Sequence, residues 1–69
     1  MTTKTEVTIK FSDRDRPQGS FALDAGDGDY HRIDGDMFVI KQKNHGADGY
    51  THYLFPLTGI HMIRIEEGN

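Results

Sequence analysis

No window of twelve residues in this chain carries apolar residues at helical spacing without a glycine or a proline inside it. Helices shorter than about a dozen residues are marginal in water without an amphipathic stripe to dock. The expected fold is therefore all-β: a small antiparallel sheet or barrel of five to six short strands, with no long helix. Eight glycines fall mostly at the breaks between apolar segments, which marks them as turn residues rather than low-complexity sequence. Four phenylalanines, three tyrosines and three methionines, with a fair supply of Val, Ile and Leu, lift the chain above the composition of disorder. At 69 residues there is room for one core, so residues 1-69 are expected to form a single small β domain.

The segment TEVTIKF at 5-11 alternates strictly, with Val7, Ile9 and Phe11 on one face, and predicts a half-buried strand. SDRDRPQGS at 12-20 is charged and broken by Pro17 and Gly19, and predicts an exposed loop. A short apolar piece at 21-23 leads into an aspartate-rich stretch in which Tyr30 to Ile33 form one more short strand. Asp34-Gly35 then signals a two-residue hairpin, because glycine takes positive φ cheaply and aspartate tolerates it. MFVIKQ at 37-42 has consecutive apolar residues, as a central strand touched on both faces requires. A hairpin pairs it with YTHYLF at 50-55 across the polar loop KNHGADG. PLTG at 56-59 makes a turn or one turn of 3₁₀ helix. IHMIRIEE at 60-67 closes the fold, with Ile63 and Ile65 on one face and Ile60 and Met62 on the other.

The chain has no cysteine, which removes disulfides and thiolate metal sites. MTTKTEVTIKF lacks the apolar segment of a signal peptide, and no apolar run approaches the roughly 20 residues that cross a bilayer. A soluble cytoplasmic protein without a membrane partner is expected. Eleven acidic against eight basic residues give a net charge of -3, which disfavours direct binding to a phosphate backbone and favours a protein partner with a basic surface.

The most unusual composition is DAGDGDYHRIDGD at 24-36, with five aspartates, four of them beside glycine. An EF-hand loop needs a bidentate glutamate at its twelfth position. Counting from Asp24 that place holds Gly35, and from Asp27 it holds Phe38, so the motif is absent. A single AGDGD cannot stack as calcium-binding solenoid repeats do, and a looser oxygen site at Asp27 and Asp29 is a minor reading. The plain reading is two solvated turns chosen for backbone geometry. The functional reading is an acidic face, made by Asp24, Asp27, Asp29, Asp34 and Asp36 with Tyr30 as an interface anchor, which engages a basic groove.

The four histidines, His31, His45, His52 and His61, lack a zinc spacing, although His52 and His61 lie on strands that were open to pairing. No GxSxG, phosphate-cradling glycine loop or dinucleotide fingerprint occurs, and Ser12 and Ser20 have no base assigned to them. The expectation is no catalytic residue, no metal and no cofactor. Tyr30, Phe38, Tyr50, Tyr53 and Phe55 could stack on bases, with Lys10, Lys41, Lys43 and Arg64 as counter-charge, but a core role for these rings is favoured because no basic excess accompanies them.

The stretch HYLFPLTGIHMIRIEE at 52-67 resembles the last two strands of a Sm-like or SH3-like barrel, which a brief 3₁₀ turn connects. No residue here matches the RNA contacts of the Sm family, so RNA binding is not implied. In size, acidity and style the chain resembles the accessory proteins that bacteriophages and mobile elements make against host machinery, anti-CRISPR inhibitors among them. That resemblance implies a non-enzymatic, stoichiometric binder acting in the host cytoplasm. Its acidic 24-36 face would dock on a nucleoprotein complex and compete with nucleic acid. The alternative is a self-assembling structural subunit, a homo-oligomer pairing through edge strands such as 5-11 or 60-66. A nucleic-acid-binding β-barrel ranks third.

Overall fold

The computed structural model describes residues 4-68 and is all-β, as the glycine punctuation predicts. Six strands form two antiparallel three-stranded sheets: β1 (Lys4–Phe11), β2 (Gly19–Asp24), β3 (Tyr30–Asp34), β4 (Met37–Lys43), β5 (Tyr50–Pro56) and β6 (Ile60–Gly68). The first sheet has the order β2-β1-β6 and the second β3-β4-β5. Two single 3₁₀ turns, Ala25–Asp27 and Leu57–Gly59, carry the chain from one sheet to the other.

The central strand of each sheet supplies most of the core. Val7 and Ile9 of β1 and Phe38 and Ile40 of β4 are buried, with Leu23 of β2 completing the cluster. The strict alternation of β1 sends Val7 and Ile9 inward and leaves Glu6 and Lys10 outside. In β4 the apolar run serves both faces as anticipated: Phe38 and Ile40 face the core, and Val39 is buried on the outer face between Arg32 and Leu54. Rings of β2 meet rings of β5 inside, Phe21 lying 4.9 Å from Tyr53 and 5.9 Å from Phe55. The amide of Gln42 reaches the Ala22 carbonyl across the same side at 2.8 Å.

Several expectations are corrected. Strand 5-11 is not an edge: β1 is paired on both sides, so of the two strands proposed for self-assembly only β6 keeps a free edge among the described residues. Gly19 and Ser20, read as loop, begin β2. The loop of the β3-β4 hairpin is Gly35-Asp36 rather than Asp34-Gly35. Gly35 has φ +62° while no described non-glycine residue has positive φ, which is the type II′ pattern with glycine first. A bulge lets Phe11 face Ile60 where Lys10 faces Met62, with His61 as the extra residue, and this turns Ile60 onto the core beside Ile63. Sequence alternation cannot foresee that inversion. His52 and His61 do not pair, because β5 and β6 belong to different sheets.

Candidate functional site

The aspartate stretch divides into two groups separated by the length of β3, about 13 Å at 3.3 Å per residue. Asp24, Asp27 and Asp29 lie at the Ala25–Asp27 turn, and Asp34 and Asp36 lie at the β3-β4 hairpin. Asp29 is buried and adds no exposed charge to an acidic face, which leaves Asp24 and Asp27 at one end of β3 and Asp34 and Asp36 at the other.

At the 3₁₀ turn the carboxylates of Asp24 and Asp29 are structural. The Asp24 carboxylate caps the turn, accepting the Gly26 N–H at 2.9 Å. Gly28 closes it in the left-handed region at φ +87°, its N–H donating to the Ala25 carbonyl. Asp29 is only 9 % exposed and is the buried polar residue of the described chain. One of its carboxylate oxygens accepts the Asp24 N–H at 3.0 Å and the other accepts the Lys43 N–H at 2.7 Å. That side chain therefore ties the end of β2, in one sheet, to the end of β4, in the other. The Asp27 carbonyl accepts the Tyr50 hydroxyl at 2.8 Å. Above it the Lys41 ammonium sits 4.2 Å from the Tyr50 ring centre and 5.4 Å from that of Tyr30. Tyr30 is thus held by cations of its own chain, with Arg32 at 5.6 Å on its ring as well.

The hairpin acids are free of such work. Asp34 is exposed and, among the described residues, pairs with Arg32 alone, at 3.7 Å, a surface pair of small energetic weight. Asp36 contributes its backbone carbonyl to the Leu57 N–H at 2.8 Å. Of the aromatics considered for base stacking, Phe38 is buried and Tyr53 and Phe55 pack against the core, while Tyr30 and Tyr50 flank Lys41 on the outer face.

A feature that composition does not advertise lies between β3 and β6. Neither strand has a partner on its far side among the described residues, and a groove of about 420 Å³ lined by His31, Arg32, Ile33, Phe38, Ile63 and Ile65 opens between them. Ile33 is paired with buried Phe38, and Ile65 with buried Val7, so both point to the inner side of their sheets. Yet Ile33 is 64 % exposed and Ile65 42 %. Inward-facing isoleucines that remain in water are the exception in a domain whose other side is sealed by aromatic rings. A period-2 pattern places them in the core, so sequence reasoning passed over them. The available signal is a basic-Ile-acidic pattern that occurs twice, as Arg32-Ile33-Asp34 on β3 and Arg64-Ile65-Glu66 on β6. Each sets an apolar side chain inward between two opposite charges on the outer face.

The chain matches no protein-family model, no curated protein and no solved structure. Among the described residues no helix is long and apolar enough to cross a membrane, and no three His, Cys, Asp or Glu side chains converge as a metal site would need.

Proposed function

We propose that this protein is a non-enzymatic binding module that takes up another polypeptide along the open side between β3 and β6. The observation that supports it is the exposure of Ile33 and Ile65 on the core-facing side of two unpaired strands. A free strand edge offers a row of backbone donors and acceptors, and an adjacent apolar groove takes alternate side chains of an added strand. The buried carboxylate, Asp29, is engaged by two backbone amides and so serves the fold rather than acid-base chemistry.

A second reading keeps the phage-type inhibitor, with a smaller acidic surface than Asp24 to Asp36. The exposed hairpin tip, Asp34 and Asp36, would meet the basic surface of a nucleoprotein complex, supported by the absence, among the described residues, of any engagement of these carboxylates beyond Arg32.

One paired experiment separates them. The wild-type chain, an Ile33→Lys/Ile65→Lys variant and an Asp34→Asn/Asp36→Asn variant are immobilised, and retained protein is measured at low and high salt. Loss of the retained partner with the lysine variant alone fits the groove. Loss with the asparagine variant alone, accompanied by loss in high salt, overturns the groove reading in favour of the acidic tip.

A further inference from the structure

Resting on the binding-module reading, the geometry points to a second copy of this chain as the occupant, paired β6 to β6 in antiparallel register about a two-fold axis at Ile65. Strand β6 is the longest in the fold, nine residues from Ile60 to Gly68. Its far edge is unpaired among the described residues. Antiparallel pairing centred on Ile65 sets Ile65 against Ile65 on the inner side and Arg64 of each copy against Glu66 of the other on the outer side. Directly opposed residues in an antiparallel pair share a face, and both Arg64 and Glu66 are outward, opposite Thr8 and Glu6 of β1. Met62, exposed on that same face, meets Gly68, which has open space around it.

Charge selects this register over its neighbours. Centring the pair one residue to either side sets Arg64 against Arg64 or Glu66 against Glu66, and like charges directly opposite are unfavourable. Edge strands are commonly guarded by charges of one sign, which repel a second copy. The Arg-Ile-Glu order does the reverse, because it is its own complement when the strand direction is reversed. Within one chain Glu66 stands directly opposite Glu6 and has Arg64 of its own strand as ion-pair partner. A second copy adds an arginine on the side that β1 leaves empty. The product is a closed, isologous six-stranded sheet, β2-β1-β6-β6-β1-β2, in which the exposed Ile65 side chains cover each other.

The test is light scattering and sedimentation over a concentration series, with far-UV circular dichroism as a check on folding. Arg64 and Glu66 have side chains 64 % and 57 % exposed, so exchanging their charges leaves the monomer fold intact. Wild type is expected to reach twice the 7.8 kDa chain mass. R64E and E66R each place like charges opposite at two symmetry-related points and should raise the dimer Kd by roughly tenfold or more. The double exchange R64E/E66R restores both pairs, and so does an equimolar mixture of the two single variants. Failure of both rescues overturns the β6 to β6 register. Rings or filaments in place of a dimer also overturn it, since they require head-to-tail pairing such as β3 with β6. A wild type that stays monomeric to about 1 mM while still retaining a groove-dependent partner sinks self-pairing but spares the binding module. A monomer with no partner sinks both.

Discussion

The two ends of the β3 neighbourhood are built in opposite ways. At the Ala25–Asp27 turn, two carboxylates that look reactive in the sequence are engaged by backbone amides of their own chain, Asp24 by Gly26 and Asp29 by Asp24 and Lys43, while the Tyr50 hydroxyl donates to the Asp27 backbone carbonyl. Along the side shared by β3 and β6, ordinary-looking isoleucines on the inner face of the sheets stand in water. Unusual composition thus marks a place where the fold is held together, and an ordinary alternating pattern marks the place left open. A short domain without disulfides has little core to hold its sheets in register, so a carboxylate bridging two strand ends has a physical purpose beyond charge.

The comparison breaks most readily at Asp29. Asp29→Ala leaves two backbone amides without their acceptor at a buried point, and hydrogen bonds to charged groups are worth about 1.5–3 kcal/mol each. A loss of about 3 kcal/mol is expected, which for a domain of this size corresponds to roughly 12–24 °C in Tm. Thermal and urea unfolding measure it. A shift under about 2 °C would mean that the sheets hold without the clamp and that the turn is no more structural than the open side.

A smaller effect is expected at Gly28. Its φ of +87° and the Tyr50 hydroxyl, 3.0 Å from where a Cβ would stand, both oppose a side chain. Gly28→Ala should cost about 1–2 kcal/mol from the left-handed backbone alone. Tyr50→Phe removes only the hydroxyl bond to the Asp27 carbonyl and should cost about 1 kcal/mol. If the two losses fall short of their sum when combined, the turn and the tyrosine act as a unit.

The open side should respond in the other currency, association rather than stability. Ile33→Lys replaces a largely hydrated isoleucine and Ile65→Lys one that is a little over half covered, so unfolding should move by no more than about 1 kcal/mol, well below the loss at Asp29. Binding or self-association along the groove should be abolished. A large loss of monomer stability instead would show that these isoleucines are core after all, and the contrast between the two regions would fall.

Much of the fold was legible because each signal was local. The alternation of Val7, Ile9 and Phe11, the pairing of 37-42 with 50-55 and the 3₁₀ turn after Pro56 all depend on neighbours in sequence. What escaped depends on distant partners. The central position of β1 follows from β6 returning to its far side, and the inward turn of Ile60 follows from the bulge opposite Lys10 and Phe11. The aspartate stretch reads as solvated turns or as an acidic face but not as a clamp, because the Asp29 carboxylate gains its structural role only when the Asp24 and Lys43 amides approach. The groove was illegible for the same reason: no local pattern says that Ile33 and Ile65 lack a covering strand.

The smallest stability effect belongs to the hairpin tip, and it sharpens the comparison from the acidic side. Among the described residues Asp34 has a single ion-pair contact, to Arg32 at 3.7 Å on an exposed surface, and such pairs contribute about 0–1 kcal/mol. Asp36 supports the fold through its carbonyl, which substitution of the side chain leaves in place. Asp34→Asn/Asp36→Asn should therefore unfold within about 0.5 kcal/mol of wild type, measured by urea titration. That neutrality makes the pair a clean probe, because any change in partner binding then reports charge at the tip and not a weakened fold. Unchanged binding across salt concentrations would leave Asp34 and Asp36 without a recognition role and shift the functional question toward Ile33, Ile65 and the unpaired strand beside them.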